Sequence, residues 1–557
     1  MLHDASPPRP PGTGPLPATP GDPGKERAIS AKTTGIVGLA VMCSRILGLV
    51  REQIFAAMFD RALRDCFLVA FRLPNLLRDL FAEGALSTAF VTVFSQKMKT
   101  EGDRAAWQLA HRTISLATVV MSGITLLGIL CAPWIVQAMA GSWEPWKVEF
   151  TILLTRIMFP FILLVSLAAL VMGILNSRKV YGAPAMASSY FNIVSILGGA
   201  GLAWLLDPHL GPRAMIGFSI GTLLGGLAQL GVQLPALFRE GYRFRFSRDW
   251  KDPGVKRIQQ LMWPAVIAGS AVQVNVLMNT MFATELAVKN GPVSWLSCAF
   301  RLMQLPLGVF GVTVATLTLP VLSRAATNGV TDEFRTVLGS GNRLVLFLTL
   351  PSAVGLFVLA QPIISVLYEH GMFTAYDTAE SALALRWYAV GLIFYACIKV
   401  IQPAFTAIGH RFVPMAVALG SILLNAGLNS TFVYHFRLGH EFLALSTAVI
   451  AAVNFLLLYY FMRRITGGLD TGRLLLTLLK LLPGTVALGF VSWAGLHWGL
   501  TEWATSGLPR RAVSLGLIIA AAGSAYFVLA LALKVDEAGQ FFSILQKRRA
   551  RRGKPKG

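Results

Sequence analysis

The chain has 557 residues, 55% of them hydrophobic and only 14% charged, with a mean hydropathy of +0.61. Soluble domains carry about 25% charged residues, so this composition excludes an ordinary soluble enzyme and indicates an all-α, polytopic integral membrane protein. The net charge of +22 does not indicate nucleic acid, because the basic residues fall in short loops between apolar segments and no soluble part interleaves them with aromatic residues.

In chain order, residues 1–30 are rich in Pro and Gly, lack an apolar run and read as a disordered cytoplasmic tail rather than a cleavable signal. Apolar runs of bilayer length then predict about fourteen helices. They fall near 33–59, 65–96, 110–140, 150–176, 184–206, 213–237, 258–287, 293–322, 338–366, 379–407, 413–434, 441–462, 474–497 and 511–533. Helices one to six form a first lobe (31–238), followed by a basic cytoplasmic loop (239–257) and a second six-helix lobe (258–463). The last two helices (474–533) are an addition to the core, and 534–557 form a basic cytoplasmic tail.

An even number of crossings puts both termini on one side. Arg239, Arg243, Arg245, Arg248, Lys251, Lys256 and Arg257 share a loop, and the tail is also basic, whereas opposite loops are short or acidic, as at Glu144 and Asp377/Glu380. The positive-inside rule places both termini in the cytoplasm. The same clusters are expected to attract anionic membrane lipid. The five cysteines lie in apolar segments without C-x-x-C spacing and read as small packed hydrophobes, with no disulfide framework or metal site.

A duplication appears when the halves are overlaid. Arg72 in Phe71-Arg72-Leu73 matches Arg301 in Phe300-Arg301-Leu302 (301 − 72 = 229), and Pro133 matches Pro362 (362 − 133 = 229). Arg156 matches Arg386 (386 − 156 = 230), and Pro184 matches Pro414 (414 − 184 = 230). Matches at nearly constant offset and at equivalent places in the helix order argue for two homologous bundles. An even number of helices separates them, so the repeats are parallel, with a site expected between the two.

Arg45, Arg51, Arg72, Arg78, Arg156, Arg301, Arg386 and Lys399 all lie within apolar stretches, where nearby acids are fewer: Glu52, Asp65, Asp79 and Glu83. A charge at mid-membrane costs roughly 2.5–3.5 kcal/mol, so such residues face a wet cavity or a counter-charge. Interhelical salt bridges, such as Arg45 or Arg51 with Asp65 or Glu83, are one reading and suit Arg72, Arg156 and Arg386. For Arg45, Arg51, Arg78 and Arg301 the acids are too few, and a cationic cavity for an anion is favoured; arginine suits bidentate contact with phosphate or carboxylate. Gly48, Pro74 and Pro306 are candidate hinges. Asn279, Asn425 and Asn429 are weak candidates for a coupling-ion site, although buried asparagines more commonly bond across helices. With no phosphate-binding Gly-rich loop, metalloprotease pair or nucleophilic triad, a transporter without cofactor fits better than an enzyme.

Ser44-Arg45-Ile46-Leu47-Gly48, Arg51-Glu52, Asp65, Phe71-Arg72-Leu73-Pro74-Asn75-Leu76-Leu77-Arg78 and Phe81-Ala82-Glu83-Gly84-Ala85 together resemble the MurJ (MviN) family of lipid II flippases. Gly291-Pro292-Val293-Ser294-Trp295, Arg301-Leu302-Met303, Pro306 and Gly371-Met372-Phe373-Thr374 extend the resemblance, which runs from about Ser44 to the last helices. It implies the multidrug/oligosaccharidyl-lipid/polysaccharide exporter fold, with two extra helices bordering a groove for a polyprenyl tail. It also implies a role in peptidoglycan biosynthesis at the bacterial inner membrane. The expected substrate is lipid II, an undecaprenyl-diphosphate-linked disaccharide-pentapeptide, moved from the cytoplasmic to the periplasmic leaflet by alternating access of a monomer. The family's cavity arginines match Arg45, Arg51, Arg78 and Arg301, and its cavity acid matches Asp65; Glu83 is grouped with them as substrate-binding. Some relatives carry acids flanking Arg-Leu-Met where this chain has Phe300 and Gln304. Alternatives are a flippase of another polyprenyl-linked glycan, a drug/cation antiporter of the same superfamily, and a membrane enzyme acting on polyprenyl lipids.

Overall fold

The computed structural model describes residues 31–288, 290–326, 330–499 and 507–539; the expected tail 1–30, and 540–557 of the expected C-terminal tail, lie outside the described residues. Among the described residues every regular element is helical. Helix α1 (Ala31–Met58) is followed by α2 (Arg61–Leu77), which passes through a π-helical turn (Arg78–Ala85) into α3 (Leu86–Thr100). Then come α4 (Asp103–Ala140), α5 (Pro145–Met158), α6 (Phe161–Ser177), α7 (Gly182–Leu206), α8 (Pro212–Gly231) and α9 (Leu234–Arg239). The second half holds α10 (Pro253–Thr284) and α11 (Pro292–Pro306), the latter joined by a π-helical turn (Leu307–Gly311) to α12 (Val312–Ala325). It continues with α13 (Asp332–Val358), α14 (Ala360–Tyr368), α15 (Ala375–Ala407), α16 (Phe412–Ser430) and α17 (His440–Ile465). Helices α18 (Thr471–Ala494) and α19 (Leu508–Ala532) close the described chain.

Each of the fourteen expected spans has a helical counterpart in this order. By length and hydropathy, eleven described helices suffice to cross a membrane, or twelve when α10, bent by 42°, counts as one span. Outside that set are α1 and the α2–α3 rod, the helices that carry Arg45, Arg51, Arg72 and Arg78. Pro264 lies just ahead of the bend in α10, where the missing N–H loosens the hydrogen-bond ladder.

Local chemistry sets the helix starts. The Asp60 carboxylate accepts from Leu63 N at 2.8 Å to open α2, and Asp252 accepts from Gly254 N at 2.8 Å ahead of Pro253 to open α10. A capping box of Thr374 and Asp377 opens α15. The basic loop is pinned rather than free: Arg112 of α4 reaches Asp249 at 2.6 Å and also pairs with Asp252, and the ring of His111 meets the Arg243 carbonyl at 2.7 Å.

The cores explain the overall arrangement. One cluster joins Phe55, Phe59, Phe67 and Phe218 of the first half to Leu296, Tyr368, Phe373 and Tyr388 of the second. Two further clusters are separate. One, around Phe90, Phe94, Leu109 and Ile174, also takes in Val255 and Ile258 from the start of α10. The other, around Phe334, Phe347 and Ile401, includes Tyr526 of α19, whose hydroxyl donates to Phe347 O at 2.8 Å. The halves thus share one large core, α10 of the second half also packs into the core around Phe90, and the core around Phe347 belongs to the second half with α18 and α19. The first residues of the expected C-terminal tail also pack, with Glu537 accepting from Arg343 Nε at 2.7 Å.

Candidate functional site

Where the halves share that core, four helix termini meet: the last turn of α1 and the first turns of α2, α11 and α15. Asp65 is expected among the cavity residues. Instead it is wholly buried in this closed end, accepting from Gly291 N at 2.7 Å and Ser294 N at 2.9 Å, with Lys147 Nζ at 4.0 Å. The free N–H groups at the start of α11 carry partial positive charge and draw in a carboxylate; that is why Asp65 faces α11 and not Arg45 or Arg51. Lys147, itself buried, donates to Asn290 Oδ1 at 3.0 Å and lies over the Trp143 ring.

Asp377, which the charge pattern places in an acidic outer loop, is also fully buried. Its Oδ1 accepts from Arg61 Nε (3.0 Å), Arg64 Nη2 (3.0 Å) and Trp295 Nε1 (2.7 Å), so α2, α11 and α15 converge on one oxygen. Gly371 completes the closure. Its φ of +59° favours glycine, a Cβ there would collide with the Ala57 carbonyl, and Met372 N donates to that same oxygen at 2.8 Å.

Away from this seal the expected arginines gather. Arg301 Nη2 lies 2.5 Å from Glu52 Oε1, joining α11 to α1, and its side chain stays half exposed. Arg51 stacks on Phe191 at 4.9 Å and lies within electrostatic range of Glu52, Arg301 and Arg78. Arg78 donates to its neighbour Asp79 at 2.7 Å, and Gln273 of α10 reaches Asp79 at 3.4 Å. Arg45 is exposed, with its guanidinium against Gly308, where a Cβ would lie 2.5 Å from Nη1. The structure thus brings Arg51, Arg78 and Arg301 within electrostatic range of one another, with Glu52 and Asp79 as the acids among the described side chains, while Arg45 lies against the π turn that follows α11. The side chain of Glu83 lies outside the described residues.

The hinge candidates fall at distinctive backbone. Pro74 precedes the π turn that begins at Arg78, and Pro306 directly precedes the one that begins at Leu307. These starts keep the repeat offset (307 − 78 = 229). Gly48 differs: a Cβ would sit 3.7 Å from Asn192 Nδ2, an ordinary contact, so space alone does not demand glycine.

The ion candidates bond to one another. Asn429 Nδ2 donates to Asn279 Oδ1 and Asn425 Oδ1, both at 2.8 Å, and Asn425 Nδ2 donates to Asn275 Oδ1 at 2.9 Å. Asn275, Asn279 and Asn425 line a cavity of about 190 Å³ inside the second half, and Arg72 of the first half reaches it too. No cluster of acids, histidines or cysteines among the described residues could hold a metal ion. Sequence reasoning missed Arg61, Arg64 and Lys147; the one local signal for Asp377 is its place as the fourth residue of the Thr374 capping box.

The profile of the family described as "Lipid II flippase MurJ" matches residues 54–514. A probable lipid II flippase MurJ of Vibrio cholerae is 33% identical over 513 residues, covering 90% of this chain and 95% of its own. The lipid II flippase MurJ of Burkholderia cenocepacia is 32% identical over 486 residues, covering 86% and 92%. A solved structure of lipid II flippase MurJ in an inward closed conformation superposes with a TM-score of 0.71 at 24% identity, covering 88% of this chain and 98% of that one. A multidrug resistance MATE transporter of the MOP superfamily, inward-facing, gives 0.64 at 16% identity, covering 78% and 98%.

Proposed function

We propose, from the premise that the chain belongs to the lipid II flippase MurJ family, that Arg45, Arg51, Arg78 and Arg301 bind the diphosphate-bearing head group of the lipid it moves. The function is that of a transporter and not an enzyme: translocation of lipid II across the membrane. The observation that carries the site is the convergence of Arg51 of α1, Arg78 of the π turn after α2 and Arg301 of α11, beside which Glu52 and Asp79 are the acids among the described side chains. Unbalanced cationic charge in a membrane protein needs an anion, and guanidinium groups suit a diphosphate. A drug/cation antiporter would need a carboxylate-rich cavity, and an enzyme would need paired acids or a metal set; neither is favoured.

In this reading the seal holds one entrance shut while the head group enters from the other. Asp65 clamps the start of α11, Asp377 gathers Arg61, Arg64 and Trp295, and Met372 ties to Ala57. Rocking of the two lobes (31–238 and 258–463) about Pro74, Pro306 and Gly48 would break those contacts and expose the site on the far side. Neutral or inverted charge at the arginines removes the site, whereas change at the seal alters which side is open.

Helices α18 and α19 supply the path for the polyprenyl tail. Leu475, Leu479, Leu482, Val486 and Phe490 recur at helical spacing and are all exposed, so one apolar stripe of α18 faces outward. The termini lie in the cytoplasm, the membrane is the bacterial inner membrane, anionic lipids contact the basic loop, and the protein works as a monomer. Translocation of lipid II into inverted vesicles tests the site. Arg78→Ala and Arg301→Ala should abolish it with the protein stably inserted; wild-type translocation by either variant would refute the assignment.

A further inference from the structure

Among the described residues, no carboxylate lines the cavity that Arg72 enters. The Nε of Arg72 is buried and has no hydrogen-bond partner among the described residues. Asp79 is within electrostatic range, but Arg78 and Gln273 already occupy its oxygens. Every other group lining the 190 Å³ cavity is neutral, and its polar members are Ser, Thr, Asn and Tyr. The space holds roughly six waters at the volume of bulk water, so a carboxylate or a halide enters with room to spare. Water would satisfy the N–H but leave the charge unbalanced, and the nearby Arg301 adds to it. A bare metal cation is the wrong occupant, for the cavity offers it no carboxylate and faces it with a guanidinium.

We infer that Arg72, with Asn275, Asn279 and Tyr388, forms a second anion subsite that takes a singly charged carboxylate or halide. Arg301 lies within electrostatic range of Arg72, and its neighbour Phe300 lines the cavity, so the subsite is near one of the arginines proposed for the diphosphate. The anion has two possible sources, a free halide or a peptide carboxylate of the transported head group. The second source rests on the transport reading above; the first does not.

The test uses the purified full-length protein. Its thermal midpoint is followed while potassium bromide replaces potassium gluconate at constant ionic strength, and binding is measured for lipid II with free or amidated peptide carboxylates. A free-halide source gives a saturable bromide shift and an anomalous bromide peak in the cavity, both lost in Arg72→Gln. A carboxylate source gives about a tenfold loss of affinity in Arg72→Gln for the free-acid lipid and none for the amidated one, the scale of one charged hydrogen bond. A variant that matches the wild type in both arms overturns the inference. If Arg72→Gln does not fold, Arg72→Lys must change one of the two responses at least threefold, or the inference falls. Wild-type translocation of lipid II, measured separately, reports on the transport reading independently of either arm.

Discussion

Gly308→Ala isolates the role of Arg45 without touching a charged residue. A Cβ at Gly308 would lie 2.5 Å from Nη1 and 3.3 Å from Cζ and Nη2 of Arg45, whereas ordinary contact begins at 3.4 Å. The guanidinium must therefore retreat by about 1 Å (3.4 − 2.5), and it can, being the far end of a flexible side chain. Folding should not suffer, since replacing glycine within a helix gains up to about 1 kcal/mol. Binding should suffer, because a displaced arginine forfeits a charged hydrogen bond of about 1.5–3 kcal/mol, or roughly ten- to a hundredfold in affinity. Lipid II affinity and translocation in proteoliposomes, with the thermal midpoint as control, read this out for Gly308→Ala, Arg45→Ala and the double variant. If the effect runs through Arg45, the double variant is no worse than Arg45→Ala. Additive losses, or wild-type affinity in Gly308→Ala, would refute the reasoning.

Three other outcomes follow from the same contacts. Asp377→Ala strands the buried Arg64 and the Trp295 N–H, so chemical denaturation should show a loss of about 3–5 kcal/mol, and Asp377→Asn a smaller one. Gly371→Ala forces a side chain into positive φ and against Ala57; the seal should loosen, seen as faster labelling of a cysteine introduced at position 372. Glu52→Gln unpairs Arg301, but half exposure of that guanidinium limits the stability change to about 1 kcal/mol or less, while affinity for a diphosphate lipid should rise.

Much of this molecule is legible in one dimension. Runs of apolar residues mark every helix of the expected order, glycine or proline stands at many of their starts, and a capping aspartate marks three described ones, at Asp60, Asp252 and Asp470. The arginines at 45, 51, 78 and 301 stand out for the same reason, as charges where composition permits few. What fails to show is pairing across long separations. Asp65 and Ser294 are distant in sequence, as are Arg64 and Asp377, and no local pattern says that a helix start will meet them. The spacing of Asp65, Arg72 and Asp79 by sevens suggests one shared face, yet each ends in different surroundings. Asp65 caps a helix and Arg72, two turns on in the same helix, enters a cavity of the other half, whereas Asp79 holds Arg78 inside the π turn, which changes the register of that face after Leu77. The asparagines at 279, 425 and 429 look like ligands singly; only their mutual bonding reveals a cross-helix ladder.

The paired π turns carry a further consequence. A wide turn stores one surplus residue, and passing that surplus along the rod by a turn rotates the stretch it crosses by about 100° and shifts it by about 1.5 Å. Arg78 begins one such turn and Gly308 lies in the other, facing Arg45. A crankshaft of this kind re-aims side chains while nearly every backbone hydrogen bond stays made, so in a membrane, where an open N–H has no water to turn to, it is an inexpensive way to let go of an anion.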